Sequence, residues 1–198
     1  FKQAKSLELR SKIVAFGSTS INKNVRDDKN LEALIESKAD YACIFGKSSL
    51  QHIHHQLRIS PEENLEKIRD SIKLLKDARR EVFYDAEHYF DAFKANKEYA
   101  LHTALVAKDA GAGSIILCDT NGGVLPKESE EIIKETRSIL GQDIKLGVHF
   151  HHDRGWSLVN AWFALPYIQQ VQVTVNGLGE RLGNTDLVEL AGNLSLNS

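Results

Sequence analysis

The sequence lacks methionine, has only two cysteines among its 198 residues, and contains no apolar run of transmembrane length. No stretch has the pattern of a secretory leader, so we expect a cytoplasmic protein. Cys43 and Cys118 lie in separate apolar runs, which predicts buried free thiols in a reducing compartment rather than a disulfide. Because the chain opens without an initiator methionine, we expect it to begin inside a longer polypeptide.

An excess of charge of either sign is also missing. The 25 Lys and Arg residues nearly balance the 27 Asp and Glu residues, for a net charge of −2, and no basic patch stands out. We therefore expect neither a nucleic-acid nor a membrane partner. Apolar residues make up 42% of the chain, enough for the core of one sizeable domain over residues 1–198.

Short apolar runs alternate with longer amphipathic ones along the chain. The short runs predict strands at 12–16, 41–45, 81–84, 114–118, 144–149 and 171–175. The longer runs predict helices at 27–38, 61–79, 96–110, 127–140 and 155–165, with a last helix opening near 185. The repeat of roughly 30 residues is the size of a βαβ unit, so we expect a parallel sheet covered by helices.

Two α/β architectures compete for this pattern. A doubly wound sheet normally carries a glycine-rich phosphate turn after its first strand, and the segment GSTS is a poor match. Polar clusters instead follow nearly every predicted strand, as in a (β/α)8 TIM barrel. Only six βα units are present, so we expect an incomplete barrel whose first two units precede residue 1.

The segment LGVHFHHDRG carries the sharpest chemical signal. His149 and His151 are two positions apart at the end of an apolar run, so in a strand both imidazoles project from one face. Two converging imidazoles are either ligands of a divalent metal or packed histidines. Asn184, in the glycine-rich segment after the last strand, could add an oxygen ligand.

Two further clusters follow predicted strands. Glu87 and His88 are candidates for acid–base or orienting roles, whereas Asp85 is either functional or a helix N-cap. In the next cluster Asp119, Thr120 and Asn121 either hold a small carboxylate or form a plain turn.

A third histidine cluster, in QHIHHQL, is not expected to bind metal. On a short helix His52, His54 and His55 would point in different directions. We expect Lys47 and His52 to line the mouth of the site instead.

Taken in order, GKSSLQH, FYDAEHYFDAFKAN, LCDTNGGVLP, GVHFHHD and VNGLGERLGN resemble the isopropylmalate, homocitrate and citramalate synthase family, from about Ile13 to the end. The DAEHYFD and CDTNGG segments are most similar to the citramalate synthase-like branch. The resemblance implies a TIM barrel in which His149, His151 and Asn184 hold a divalent metal (Mg, Mn, Zn or Co), together with an aspartate of the family's first strand that this sequence does not contain. It also implies that Thr120 contacts the carboxylate of a 2-oxo acid and that Glu87 is the active-site glutamate.

The implied activity is a Claisen-type condensation of acetyl-CoA with pyruvate or 2-oxoisovalerate. The products would be citramalate or 2-isopropylmalate plus CoA, in branched-chain amino-acid (isoleucine and leucine) biosynthesis. The resemblance also implies a homodimer in the full-length protein and accessory regions after the barrel that are missing here. For this segment alone we expect weak activity or none.

Two alternatives stay open at this point. A related metal-dependent lyase or aldolase, such as hydroxymethylglutaryl-CoA lyase, would break the carbon–carbon bond instead of making it. A non-catalytic barrel would merely pack its histidines. The sequence also departs from the family in two places. His152 stands where the family has asparagine, and the stretch from His151 to Asn184 is one residue short.

Overall fold

The computed structural model describes residues 9–196 together with residues 3, 6 and 7. Its described residues form one parallel sheet of six strands in the order β1-β2-β3-β4-β5-β6. The strands are β1 (Val14–Ser18), β2 (Tyr41–Lys47), β3 (Glu81–Glu87), β4 (Ser114–Asp119), β5 (Lys145–Phe150) and β6 (Gln170–Gln172). Each strand pairs with its neighbours in sequence, as in a barrel wall, which confirms the α/β class and six of the eight strands of a barrel.

Helices connect the strands. They are α1 (Lys29–Glu36), α2 (Leu50–His52), α3 (Pro61–Asp77), α4 (Tyr89–Ala95), α5 (Lys97–Asp109), α6 (Pro126–Leu140), α7 (Ser157–Ala164) and α8 (Leu187–Leu196). Helix α2 continues as a π-helical turn, Ile53–Leu57. Short 3₁₀ turns lie at Val25–Asp27, Leu165–Tyr167 and Val175–Gly177.

The core lies between the outer face of the sheet and the helices. Helix α3 shows why: its apolar residues recur every three or four positions, so they form one stripe, and the stripe is buried. These residues are Leu65, Ile68, Ile72 and Leu75. Burial of each contributes roughly 1.5–3 kcal/mol. The hydroxyl of Ser60 accepts the Glu63 N–H at 3.1 Å and so caps the helix start.

The structure differs from the predicted elements in several places. Strands β2 and β3 extend two and three residues beyond their predicted ends, so Asp85 and Glu87 lie within β3 rather than after it. Helix α4 is absent from the predicted elements, because it begins directly after His88 with no side-chain cap to mark its start. Strand β6 is three residues long rather than five. It is the last strand of the sheet and pairs with β5 over only three residues before the chain turns at Val175–Gly177.

The two cysteines are free and buried, as predicted. Among the described residues, no helix combines the length and apolarity needed to cross a bilayer.

Candidate functional site

The predicted clusters all lie at the carboxyl-terminal end of the sheet, because parallel strands bring their carboxyl ends together. On β5, Val148 and Phe150 are fully buried, and the Phe150 ring packs 5.4 Å from the Phe90 ring of α4. Alternation then directs His149 to the opposite, concave face, and His151 follows directly after the strand. The two imidazole centroids are 4.9 Å apart.

The loop after β6 folds back onto the end of β5 and carries Asn184 to the histidines. Asn184 forms an antiparallel bridge with His151, and its N–H donates to the Gly177 carbonyl at 2.9 Å. Two glycines with positive φ permit this tight return, Gly177 at +62° and Gly183 at +95°. A Cβ on Gly183 would collide with the Gly177 carbonyl oxygen.

Three buried polar atoms at this place have no hydrogen-bond partner: Nδ1 of His149, Nδ1 of His151 and Oδ1 of Asn184. Leaving such atoms unpaired is costly unless something binds them. Two imidazole nitrogens and one amide oxygen form a donor set that suits a divalent cation. The residues present therefore fit a metal ion.

The donor atoms of His149, His151 and Asn184 include no carboxylate oxygen. In the part of the chain that the structure describes, no three His, Cys, Asp or Glu side chains are gathered closely enough to hold a metal. Among the described residues, Asn184 supplies the oxygen donor beside the two histidines. In the QHIHHQL segment His54 and His55 are exposed, whereas the ring of His52 lies against that of His88.

Burial and the neighbouring His151 lower the pKa of His149 to about 4. Burial also lowers the pKa of His151. Both rings are thus neutral at pH 7, and a neutral imidazole is the form that offers a lone pair to a metal.

The ends of β2 and β3 are joined by an ion pair. Lys47 Nζ lies 2.6 Å from Glu87 Oε2, and both side chains are mostly buried. Beside them the rings of His52 and His88 lie 4.1 Å apart. Burial and the proximity of His52 lower the pKa of His88 to about 4, so this ring is neutral at pH 7. Lys47 and His52 thus lie beside Glu87 and His88.

Thr120 links the end of β4 to the residue that follows β3 and to the loop after β6. Its hydroxyl oxygen accepts the His88 N–H at 2.8 Å, and its carbonyl accepts Arg181 Nη2 at 2.8 Å. The hydroxyl proton remains available to another acceptor. His88 itself has a φ of +58°, so the backbone turns sharply where it contacts Thr120.

Asp119 and Asn121, on either side of Thr120, form hydrogen bonds to other protein groups. The buried Asp119 carboxylate accepts the N–H groups of Gly123 and Val124 at 3.1 and 3.2 Å, which closes its own turn. Burial raises the pKa of Asp119 to about 6. Asn121 donates to Asp91 at 2.7 Å.

Sequence reasoning missed the principal partner of Arg181. The adjacent Glu180 lies 3.4 Å from Arg181, but Arg181 pairs more closely with Asp153, at 2.5 and 2.7 Å. Asp153 lies two residues after His151, in the segment LGVHFHHDRG, and this position was the only sequence feature that could have marked it as part of the site.

Asp85 is not a helix cap. It lies inside β3, 5% exposed, and accepts the Cys43 thiol at 3.1 Å and Gln172 Nε2 at 2.9 Å. Gln172 belongs to β6, so this contact crosses the concave face, where a cavity of about 450 Å³ is lined by Cys43, His149, Gln172 and others. Gln172 carried no sequence signal of its own.

Comparison with known proteins places this geometry in a family. Residues 4–198 match the family described as HMGL-like. The chain is 48% identical over 99% of its length to an (R)-citramalate synthase of Geobacter sulfurreducens. It is 41% identical over 99% of its length to an (R)-citramalate synthase of Sulfolobus acidocaldarius. It spans 37% and 38% of the lengths of these curated relatives.

Solved structures show the same fold at lower identity. The hydroxymethylglutaryl-CoA lyase of Bacillus subtilis superposes with a TM-score of 0.82 at 19% identity, over 98% of this chain and 66% of the lyase chain. The lyase of Pseudomonas aeruginosa gives 0.78 at 19% identity, over 94% of this chain and 62% of the other. From the family match, the identity to the synthases and the shared barrel architecture, this chain belongs to the HMGL-like family.

Proposed function

We propose that this chain is the larger part of the catalytic barrel of a citramalate synthase-type enzyme, which condenses acetyl-CoA with a 2-oxo acid. The single observation that carries the proposal is the set of three buried, unpartnered donor atoms on His149, His151 and Asn184. The identity of 41–48% to (R)-citramalate synthases supports pyruvate as the 2-oxo acid.

In this proposal His149, His151 and Asn184 hold a divalent cation drawn from Mg, Mn, Zn and Co. When bound, such a cation polarises the ketone of the 2-oxo acid and makes its carbon electrophilic. The remaining ligands come from the substrate and from a carboxylate outside this chain, in the two βα units that we propose precede it. Because the site is then incomplete within residues 1–198, we expect the chain by itself to turn over weakly or not at all.

The chain's other residues position the substrates and move protons. The Thr120 hydroxyl keeps a proton that can bond the carboxylate of the 2-oxo acid. Glu87 lies at the end of β3 with Lys47 against one carboxylate oxygen, which keeps its charge compensated at the site. We assign Glu87 an acid–base or orienting role, supported by the neutral ring of His88.

The reaction balances with water as the third reactant. The methyl group of acetyl-CoA loses a proton, its carbon bonds to the ketone carbon, and the ketone oxygen gains a proton. Water then cleaves the thioester and releases CoA, which makes the condensation favourable overall. Asp119 and Asn121 border this place, but the Asp119 carboxylate is already bonded within its turn. We therefore give substrate contact to Thr120 first.

CoA release is the direct test. A longer protein that contains this chain is incubated with acetyl-CoA, Mn²⁺ and either pyruvate or 2-oxoisovalerate, and free thiol is measured. We expect release that requires both metal and pyruvate and falls with the bulkier acid. Production of acetyl-CoA from a hydroxyacyl-CoA, with no release in the forward assay, would favour a lyase instead.

The double variant His149→Ala/His151→Ala tests the metal site separately. We expect it to lose bound metal and activity together. If its metal content equals that of the parent, the histidines are only packed and the proposal is wrong.

A further inference from the structure

Gln172 and His149 are neighbours across two strands. They are register partners in the β5–β6 ladder, and both line the cavity on the concave face. Paired positions of neighbouring strands direct their side chains to the same face, so the Gln172 amide lies beside the His149 ring. The last residue of β6 therefore contacts the first histidine of the proposed metal site.

The other end of the Gln172 side chain is held by Asp85. Nε2 donates to Oδ1 at 2.9 Å and to Oδ2 at 3.2 Å, and the Cys43 thiol donates to Oδ1 at 3.1 Å. Burial raises the pKa of Asp85 to about 6, so at pH 7 the carboxylate form predominates. A carboxylate only accepts hydrogen bonds, so the NH₂ end of the amide must face Asp85.

The amide orientation has a consequence for the imidazole. With its NH₂ end on Asp85, Gln172 keeps its carbonyl oxygen for the neighbouring His149, whose ring N–H that oxygen can accept. A neutral imidazole has one N–H, so the other nitrogen keeps its lone pair. Nδ1 of His149 has no hydrogen-bond partner in the described structure.

We propose that Asp85 and Gln172 are positioning residues that set the tautomer and rotation of His149, so that its free nitrogen faces the metal site. The proposed chain of contacts extends from Asp85 on β3 to Gln172 on β6 and then to His149 on β5, across the concave face. Its use in catalysis rests on the proposed function, whereas the tautomer itself does not. A purely structural brace between β3 and β6 would leave the tautomer of His149 unaffected.

The first experiment reads the tautomer in the metal-free chain. Histidine labelled with ¹⁵N distinguishes a protonated from an unprotonated ring nitrogen by NMR, and His149→Ala identifies the signals of His149. We expect a single tautomer in the parent and a mixture in Gln172→Leu.

Gln169→Leu is the matched control, because Gln169 lies three residues earlier and its Oε1 accepts from Arg137 at 2.7 Å and Leu146 N–H at 3.1 Å, away from His149. It is expected to keep the single tautomer. If Gln172→Leu is too unstable to measure, Asp85→Asn removes the acceptor-only partner and is expected to give the mixture. A single tautomer in both variants would overturn the proposal.

The second experiment uses a longer protein that contains this chain and measures metal affinity from the absorption band of Co²⁺. Loss of a group that orients a metal ligand typically weakens binding 10- to 100-fold, which we expect for Gln172→Leu, against less than twofold for Gln169→Leu. Equal affinity of Gln172→Leu and parent would overturn the inference while leaving the metal site intact. Absence of Co²⁺ binding in that longer parent protein would overturn the proposed function, and the tautomer measurement would still decide whether Asp85 and Gln172 position His149.

Discussion

Arg181 and Asp153 form a two-pronged ion pair, in which Nε donates to Oδ1 at 2.5 Å and Nη2 to Oδ2 at 2.7 Å. Nη2 also donates to the carbonyl of Thr120 at 2.8 Å. One guanidinium thus joins the loop after β6 to the segments that follow β4 and β5. Since Asn184 lies three residues beyond Arg181, the pair helps to place the oxygen donor of the proposed metal site.

Arg181→Lys should weaken metal binding several-fold. An ammonium group has no planar fork with which to hold both carboxylate oxygens and the Thr120 carbonyl at once. Titration with Mn²⁺ measures the affinity, and hydrogen exchange of the amides in 177–184 reports the expected loosening of the loop. Arg154→Lys is the control, since Arg154 makes one bond, to the Gly123 carbonyl at 3.0 Å. Equal affinities for the two variants would contradict the role given to Arg181.

Gly183→Ala should disrupt the return of the chain that carries Asn184. The new Cβ would meet the Gly177 carbonyl, and the φ of +95° is unfavourable for alanine. We expect a loss of about 2 kcal/mol or more in the free energy of unfolding, together with weaker metal binding. Urea denaturation measures the stability.

Gly192→Ala provides the comparison. Gly192 lies in helix α8, and a Cβ added there would have nothing within 4 Å, so alanine should be neutral or stabilising by up to about 1 kcal/mol. Similar stabilities for the two alanine variants would show that the Gly183 turn is not required.

Glu87→Gln should lower turnover by about 100-fold or more while the protein stays folded, because general acid–base groups typically contribute 10²–10⁴. The amide keeps the shape but loses the charge that pairs with Lys47. CoA release measures turnover, and circular dichroism checks folding. Glu135→Gln removes a carboxylate from an exposed ion pair with Lys97 and should leave turnover unchanged. Normal turnover in Glu87→Gln would remove Glu87 from the chemistry.

Stability should fall as the pH drops from 7 to 5, in part through His88. The pKa of His88 is about 4 in the folded protein, below its ordinary value of 6.5. Between these values the unfolded chain binds more protons, so lowering the pH favours unfolding. His88→Asn removes this titration, and asparagine tolerates the φ of +58°.

The variant should therefore show a shallower decline of unfolding free energy with falling pH. Denaturation midpoints at several pH values measure the slope, while a constant offset between variant and parent reports lost packing only. Parallel curves for the two proteins would mean that the shift in the His88 pKa does not contribute.

Much of the fold follows from local patterns. Each of the six strands is predictable, because short apolar runs bounded by turn residues differ clearly from the longer amphipathic stripes of the helices. Element ends are less predictable: α4 has no capping side chain to announce it, and β6 is shortened where its pairing with β5 stops. Period-two alternation by itself also predicts that His149 and His151 lie on one side of the chain.

The sequence alone determined the strand–helix alternation, the burial of both cysteines, and the position of chemically active side chains near the carboxyl ends of the strands. Only the tertiary structure decided which of those side chains meet. Asp85 and Gln172 are 87 positions apart, and Arg181 and Asp153 are 28 apart. Local propensity carries no information about contacts at such separations, because they arise only when the sheet curves and brings β3 opposite β6.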